Sequence, residues 1–161
     1  MRYWIRADVP VTENEYHEFL HTFDASGGKG RLFISSETDY CAFLNGKAVG
    51  YGQYHDLPSY KVYDEYEVSL RKGKNVLAVV AYFGHTPTAS YVEKGLGLLF
   101  SVEGEGGILC ESGKRTLSRP SRVYESGTGV PLITGQLGYS YRCDLGAEDG
   151  WVCGEGEGFL P

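Results

Sequence analysis

The sequence lacks several features that would place it in a particular class of protein. Its four cysteines are too few for a disulfide scaffold in 161 residues, and none stands in the Cys-x2-Cys pair of a zinc site. No apolar run approaches the roughly 20 residues that span a membrane, and the N-terminus has no apolar stretch typical of a signal peptide. We therefore expect mostly buried, reduced cysteines, no membrane partner and a cytoplasmic location.

Basic residues are also scarce. Lys and Arg number 15 against 21 Asp and Glu, which gives a formal net charge of -6. Nucleic-acid binding needs clustered positive charge, so we expect no nucleic-acid partner. Hydrophobic residues make up 42% of the chain, which is enough for one folded domain with a core of its own.

Short apolar runs and abundant glycines dominate what remains. The 23 glycines and these runs predict an all-β fold, either a sandwich or a barrel. Asn45-Gly46 is a strong hairpin signal, because both central residues of a type I′ turn need positive φ. Arg71 to Lys74 would form a polar turn. The predicted strands are Arg31–Ser35, Tyr40–Leu44, Lys47–Gly52, Asn75–Phe83, Leu96–Glu103, Ile108–Glu111 and Leu137–Leu145.

The segment from Tyr16 to Phe23 fits two structures. Its apolar residues recur at helical spacing, but the residues from His17 onward also alternate as on a strand. On a helix, His17 and His21 would form the His-Glu-x-x-His motif of zinc enzymes, so a small metalloenzyme is one hypothesis. On a strand the two histidines would lie about 13 Å apart, too far to share a metal.

Three longer stretches carry a family resemblance. RLFISSETDYCAFLNGKAVGYGQY, then YKVYDEYEVSLRKGKNVLAVVAYFG, then ITGQLGYSYRCDL resemble, in order and spacing, the N-terminal β-sandwich of bacterial α-L-rhamnosidases of glycoside hydrolase family 78. The resemblance covers about Glu15 to Asp144. It implies an antiparallel β-sandwich, a galactose-binding-like jelly roll, in which Glu15 to Asp24 forms a strand.

In that family the catalytic carboxylates lie in a separate (α/α)-barrel domain, and no stretch of this chain matches its acidic motifs. The resemblance therefore implies a non-catalytic accessory domain over residues 1–145, followed by a tail or linker, residues 146–161, toward a missing downstream domain. Its partners would be the catalytic domain of the parent enzyme and a rhamnose-containing glycan. We expect no cofactor, and a structural calcium rests on analogy alone. The alternative is a stand-alone carbohydrate-binding module.

Aromatic and polar side chains crowd the segment after the hairpin. Sugars present apolar C–H faces, which tyrosine rings cover, and hydroxyl groups, which amide, imidazole and carboxylate groups bind. Three roles are open for this segment: a sugar-binding face, a surface that docks on a neighbouring domain, and rings that pack on the sheet. The candidate residues are Tyr51, Gln53, Tyr54, His55, Asp56, Tyr60 and Tyr63.

Acidic residues are plentiful, but glycoside hydrolysis needs two carboxyl groups about 5–9.5 Å apart, one of them with a raised pKa. We expect most of the acids to be solvated in turns and on strand faces, which leaves no catalytic candidate. The acids considered are Asp56, Asp64, Glu65, Glu67, Glu148 and Asp149.

The tail is rich in Gly and Glu and holds an isolated Trp151.

Overall fold

The computed structural model describes residues 3–8, 10, 12–53, 56–57, 59–89, 91–92 and 95–161. Among these residues, strand and β-bridge positions make up 53% and helical turns 4%, and the strands pair in antiparallel fashion. No helix among the described residues is long and apolar enough to cross a membrane. The strands are β1 (Glu15–Ser36), β2 (Tyr40–Leu44), β3 (Lys47–Gly52), β4 (Asp64–Phe83), β5 (Leu98–Gly104), β6 (Gly107–Glu111), β7 (Leu117–Pro120), β8 (Leu132–Thr134) and β9 (Gly138–Tyr139).

Strands β1 and β4 form one long ribbon that folds back on itself. Their pairing runs from Glu15 opposite Phe83 to Ile34 opposite Asp64. Phe100 on β5 pairs with Ile34, yet its ring centroid lies 5.5 Å from that of His21, thirteen residues earlier on β1. A straight strand would separate His21 and Ile34 by about 40 Å. The ribbon therefore bends, and its two halves face each other.

Glycines allow this bend in both strands. Gly27 and Gly28 on β1 have φ values of 90° and 100°, and Gly73 on β4 has a φ value of 86°. Only glycine adopts this backbone region at little cost, so both strands can turn there without losing their pairing. The prediction of a polar turn from Arg71 to Lys74 is wrong, because these residues continue β4 through the bend.

The bend divides the strands into two layers. Sheet 1 contains β3, β2, the C-terminal half of β4, the N-terminal half of β1 and β7, in that order. Sheet 2 contains the N-terminal half of β4, the C-terminal half of β1, β5 and β6. Alternate side chains point between the layers and form the core, which includes Phe19, Leu32, Ile34, Leu77, Val79, Phe83, Leu98, Phe100 and Val102.

The predicted all-β antiparallel sandwich is confirmed, and its local hairpin is correct to the residue. Asn45 and Gly46 occupy the turn with positive φ, and the Asn45 side chain also accepts a hydrogen bond from Val76 N at 2.9 Å. Glu15 lies at the start of β1, so the strand implied by the family resemblance is confirmed and the helical alternative is wrong. The jelly-roll connectivity stays a prediction.

The predicted strand from Leu137 to Leu145 is wrong. Only Gly138 and Tyr139 are in a strand, and the residues from Tyr141 to Leu145 are exposed. The alternating apolar residues of this segment do not form a buried face. The segment lies on the outside of sheet 1, and Leu137 is 70% exposed.

The C-terminal segment packs against the outer face of sheet 1. Trp151 is only 3% exposed and lies in a second apolar cluster with Leu20, Val76 and Ala78. The interpretation of Trp151 as an isolated side chain is therefore wrong. The division of the chain at residue 146 stays a prediction.

A buried ionic cluster around Arg119 on β7, the Arg119 cluster, holds this segment in place. Arg119 Nε donates to Glu18 Oε2 at 2.7 Å, and its two terminal nitrogens donate to the two oxygens of Asp149 at 2.7 and 2.9 Å. Ser121 Oγ donates to the second oxygen of Glu18 at 2.7 Å. The guanidinium also lies 4.3 Å from the ring centroid of Phe159. Asp149 is thus ion-paired and not a freely solvated acid.

Replacing Arg119 by Met should lower the free energy of unfolding by about 3–5 kcal/mol, because the buried Glu18 carboxylate then loses its cation. The matched control is Arg122→Met. Arg122 is 46% exposed and pairs with the same Asp149 at 3.2 Å, so its loss should cost less than about 1 kcal/mol. Denaturant unfolding followed by tryptophan fluorescence measures both. Equal losses in the two variants would contradict an anchoring role for Arg119.

Acid should weaken this cluster over a defined pH interval. The hydrogen bonds from Arg119 lower the pKa of Asp149 from its ordinary 3.8 to about 2. A lowered folded-state pKa gives stability that is complete above the ordinary value and is lost as the pH falls toward about 2. Asp149→Asn should therefore flatten the loss of unfolding free energy across this interval. If the variant and the parent show the same acid dependence, the Arg119–Asp149 pair does not contribute this stability.

Candidate functional site

The segment after the hairpin is held to the sandwich by two of its predicted site residues. Gln53 Oε1 accepts a hydrogen bond from Ser36 N at 2.6 Å, and Gln53 Nε2 donates to Asp56 Oδ2 at 3.0 Å. Asp56 also pairs with Lys61 Nζ at 2.8 Å and accepts from Val62 N at 2.9 Å. The expectation that Asp56 is solvated is wrong, because its side chain is 2% exposed. A ligand-binding role for Gln53 and Asp56 stays a prediction.

The tyrosines of this segment are strongly exposed. Tyr51, Tyr60 and Tyr63 have 84%, 73% and 63% of their surface accessible. The predicted site residues Tyr54 and His55 lie outside the described residues. Tyr63 makes an edge-to-face contact with Phe33, with ring centroids 5.8 Å apart, on the outer face of sheet 2. Of these tyrosines, only Tyr63 lines one of the two concave sites considered below.

A different set of tyrosines forms a concave site on the outer face of sheet 1. We call it the tyrosine pocket and define it by Tyr16, Tyr82, Tyr124 and Tyr141. Tyr16 stacks on Tyr124 with ring centroids 4.9 Å apart and lies 4.8 Å from Tyr82. Tyr141 meets Tyr124 edge-on at 6.5 Å. The result is a continuous aromatic wall built from both sheet and C-terminal segment.

Strand pairing explains how these side chains meet. Tyr16 on β1 and Tyr82 on β4 are direct cross-strand partners, and both point away from the core. Tyr124 follows β7 and pairs with Cys143 in an isolated bridge, which brings the Tyr141 region alongside it. The Arg119 cluster fixes the chain immediately before Tyr124, so the C-terminal part of the wall is anchored to the sheet part.

The rest of the pocket is small and mostly apolar. Val80 and Cys41 line it together with the exposed Asp39, and its volume is about 290 Å³. This lies near the lower end of the range for small-molecule sites. The pocket thus combines aromatic surface with one carboxylate at its edge.

The hydroxyl groups of Tyr16, Tyr82 and Tyr124 remain protonated at neutral pH. Burial, followed by the negative charge of Asp39, raises the pKa of Tyr82 to about 12. Burial also raises the pKa values of Tyr16 and Tyr124 above their ordinary value. Within the described part of the chain, the hydroxyl groups of these three tyrosines make no hydrogen bond. They can therefore donate to, and accept from, the hydroxyl groups of a ligand.

Each of the three buried histidines has one ring nitrogen within hydrogen-bond distance of a neighbouring side chain. Glu15 Oε2 lies 3.1 Å from His17 Nε2 and 2.9 Å from His85 Nε2. His21 Nδ1 lies 2.9 Å from Thr116 Oγ1, which immediately precedes β7 beside β1. The described residues contain no group of three His, Cys, Asp or Glu side chains arranged to hold a metal. Because His17 and His21 are on a strand, the helical basis for the metalloenzyme hypothesis is gone.

No protein-family model matches the chain, and no curated protein matches it in sequence. Solved structures do match it. The glycoside hydrolase family 78 rhamnosidase of Bacillus sp. GL1 is 26% identical, with a TM-score of 0.74 over 83% of this chain. The chain resembles a single domain of such rhamnosidases. It spans only 14% of the length of the Bacillus enzyme.

Two further structures share the fold. The α-L-rhamnosidase of Streptomyces avermitilis, determined in complex with L-rhamnose, is 20% identical, with a TM-score of 0.61 over 92% of this chain and 16% of its own. The lectin of the fungus Pleurotus ostreatus is 18% identical, with a TM-score of 0.57 over 99% of this chain and 46% of its own. At these identities the likeness concerns the fold alone. The resemblance inferred from the sequence motifs is confirmed by the rhamnosidase structures.

Sequence reasoning missed the tyrosine pocket. Tyr16 and Tyr82 lie one residue before the inward-pointing His17 and Phe83. Once the region is assigned to a strand, alternation predicts that both tyrosines point outward. Their contact with Tyr124 could not be predicted from the sequence, because it depends on the path of the chain after β7.

The expectation of mostly buried cysteines holds for Cys110 but is wrong for Cys143 and Cys153, which are exposed. All four thiols are free.

Proposed function

We propose that this chain is a non-catalytic accessory β-sandwich domain of an α-L-rhamnosidase-like glycoside hydrolase, and that it holds glycan in the tyrosine pocket. The observation that carries the proposal is the pocket itself, in which stacked tyrosine rings with open hydroxyl groups surround a space of about 290 Å³. The resemblance to rhamnosidase domains supports the choice of parent enzyme.

The chemistry of the pocket suits a sugar ring. The apolar C–H face of a sugar packs on an aromatic ring, while its hydroxyl groups need donors and acceptors at the edge. Tyr82 and Tyr16 supply both the ring surface and phenolic hydroxyl groups, and Asp39 supplies a carboxylate beside them. A purely apolar ligand would leave these polar groups unused, so a carbohydrate is the better match.

The pocket does not suit glycoside hydrolysis. That reaction needs a pair of carboxyl groups across the sugar. Asp39 is the single carboxylate among the described residues that line the pocket. The buried carboxylates of Glu15 and Glu18 nearby along β1 are bonded to His17, His85, Ser121 and Arg119. We therefore infer binding without turnover.

A second candidate role is docking onto the catalytic domain of the parent enzyme. The observation that favours it is the exposed apolar surface of the β8–β9 hairpin, where Leu132, Ile133 and Leu137 are 50%, 55% and 70% accessible. Exposed apolar side chains that cluster in this way mark interaction surfaces. The two roles are compatible, because the hairpin and the tyrosine pocket use different side chains. A stand-alone carbohydrate-binding module is the alternative if no catalytic domain follows in the gene.

Calorimetric titration with L-rhamnose, D-galactose and D-mannose tests the glycan role. Tyr141→Ala should weaken sugar binding about tenfold, because it removes one ring of the wall, and the exposed Tyr141 should tolerate the change. Tyr82→Phe should weaken binding less, because it removes only the hydroxyl group. The matched control is Tyr51→Ala, which deletes a tyrosine that is also exposed but lies outside the pocket.

An assay for release of nitrophenol from nitrophenyl α-L-rhamnoside accompanies the titration. We expect binding without release. Equal affinity in the parent and Tyr141→Ala would contradict the tyrosine pocket as the site, and loss in Tyr51→Ala alone would favour the segment after the hairpin. Turnover by this chain alone would contradict the non-catalytic role.

A further inference from the structure

A second concave site lies on the outer face of sheet 2, away from the tyrosine pocket. We call it the Phe33 pocket. Its volume is about 250 Å³. Phe33 and Ser35 project from β1, and their cross-strand partners Ser101 and Leu99 project from β5. Tyr63 closes one side of it.

The aromatic part of this pocket is open to solvent yet held in position. Tyr63 is 63% exposed, and its ring packs edge-to-face on Phe33 at 5.8 Å. The chain just before Tyr63 is fixed to the sheet, because Ser35 Oγ donates to Val62 O at 2.7 Å and Val62 N donates to Asp56. An exposed ring on an anchored backbone loses little conformational freedom when a ligand covers it.

A buried hydroxyl group without a partner lies at the floor of the pocket. Ser101 is 1% exposed, and its Oγ makes no hydrogen bond within the described part of the chain. Buried polar groups in folded proteins are almost always bonded, so an orphan calls for an explanation. Ser101 sits opposite Phe33 on the outward-pointing side of β5 and is one of the residues that line the pocket.

Charged groups border the aromatic surface. The Arg31 guanidinium lies 5.2 Å from the Phe33 ring centroid and pairs with Glu65 at 3.2 Å and Glu103 at 3.5 Å. Arg31 is 54% exposed, so these pairs are weak and can exchange partners with a ligand. Aromatic rings, a hydroxyl group and the Glu103 carboxylate line this shallow depression, with the Arg31 guanidinium beside Phe33. Groups of these kinds contact the faces and hydroxyl rims of sugars.

We propose that the Phe33 pocket is a second carbohydrate-contact site, with Tyr63 and Phe33 as the platform and with Ser101, Arg31 and Glu103 as hydrogen-bonding groups. The proposal shares its ligand class with the proposed function but uses none of the same residues. The two sites lie on the outer faces of opposite sheets. The domain would therefore hold two glycan segments at once, and its affinity for a surface dense in glycan would exceed that of either site.

Amide NMR titration of the whole chain with L-rhamnose, D-galactose and D-mannose tests this. We expect two separate groups of shifting signals, one from β1 and β5 around Phe33 and one around the tyrosine pocket. Tyr63→Ala should weaken binding at the first group about tenfold and leave the second unchanged. The matched control is Tyr60→Ala, a tyrosine of the same segment that is 73% exposed and does not line the pocket. Ser101→Ala should weaken sugar binding at the Phe33 pocket while the fold is retained.

Each outcome decides a different claim. If none of the three sugars shifts the signals around Phe33 in the parent chain, or if Tyr63→Ala binds there as well as Tyr60→Ala, the second site is wrong. If the signals around Phe33 shift and those of the tyrosine pocket do not, the second site holds and the site of the proposed function fails. A single group of signals around the tyrosine pocket contradicts the second site alone.

Discussion

The folded-back ribbon of β1 and β4 is the constraint on which the rest of the structure depends. Each strand contributes to both sheets, so one continuous pairing register sets the inward and outward faces of the whole sandwich. The positive φ values at Gly28 and Gly73 let the ribbon turn without breaking that register. Phe19 and Ile34, from opposite ends of β1, consequently pack into one core.

The same register decides what each outer face carries. On sheet 1 it places Tyr16 opposite Tyr82, and on sheet 2 it places Phe33 opposite Ser101. The C-terminal segment then covers part of sheet 1, where Trp151 seals an apolar patch and the Arg119 cluster anchors the chain. This cover leaves the tyrosine pocket open beside it. The concave sites are therefore consequences of strand pairing and of one buried ionic anchor.

The sequence was informative where structure is decided locally. An Asn-Gly turn specifies its own hairpin, so the first and last residues of β2 and β3 could be predicted from the sequence. It was misleading where distant pairing overrides local character: Arg71 to Lys74 look like a turn, yet Lys72 to Lys74 pair with β1 and the whole segment continues β4. The alternation after Leu137 suggested a buried face that tertiary packing does not provide.

The candidate sites show the same division. The tyrosines after the hairpin were visible as a cluster in sequence, but the side chains Gln53 and Asp56 among them are engaged in anchoring the backbone. Tyr124 joins Tyr16 only through long-range packing, which no spacing rule encodes.

The most direct test of the account is a crystal structure of the chain soaked with L-rhamnose. The account predicts a sugar ring packed on Tyr16, Tyr82 and Tyr124, with a hydrogen bond to Asp39; a sugar bound only beside Tyr51 and Tyr60 would contradict it.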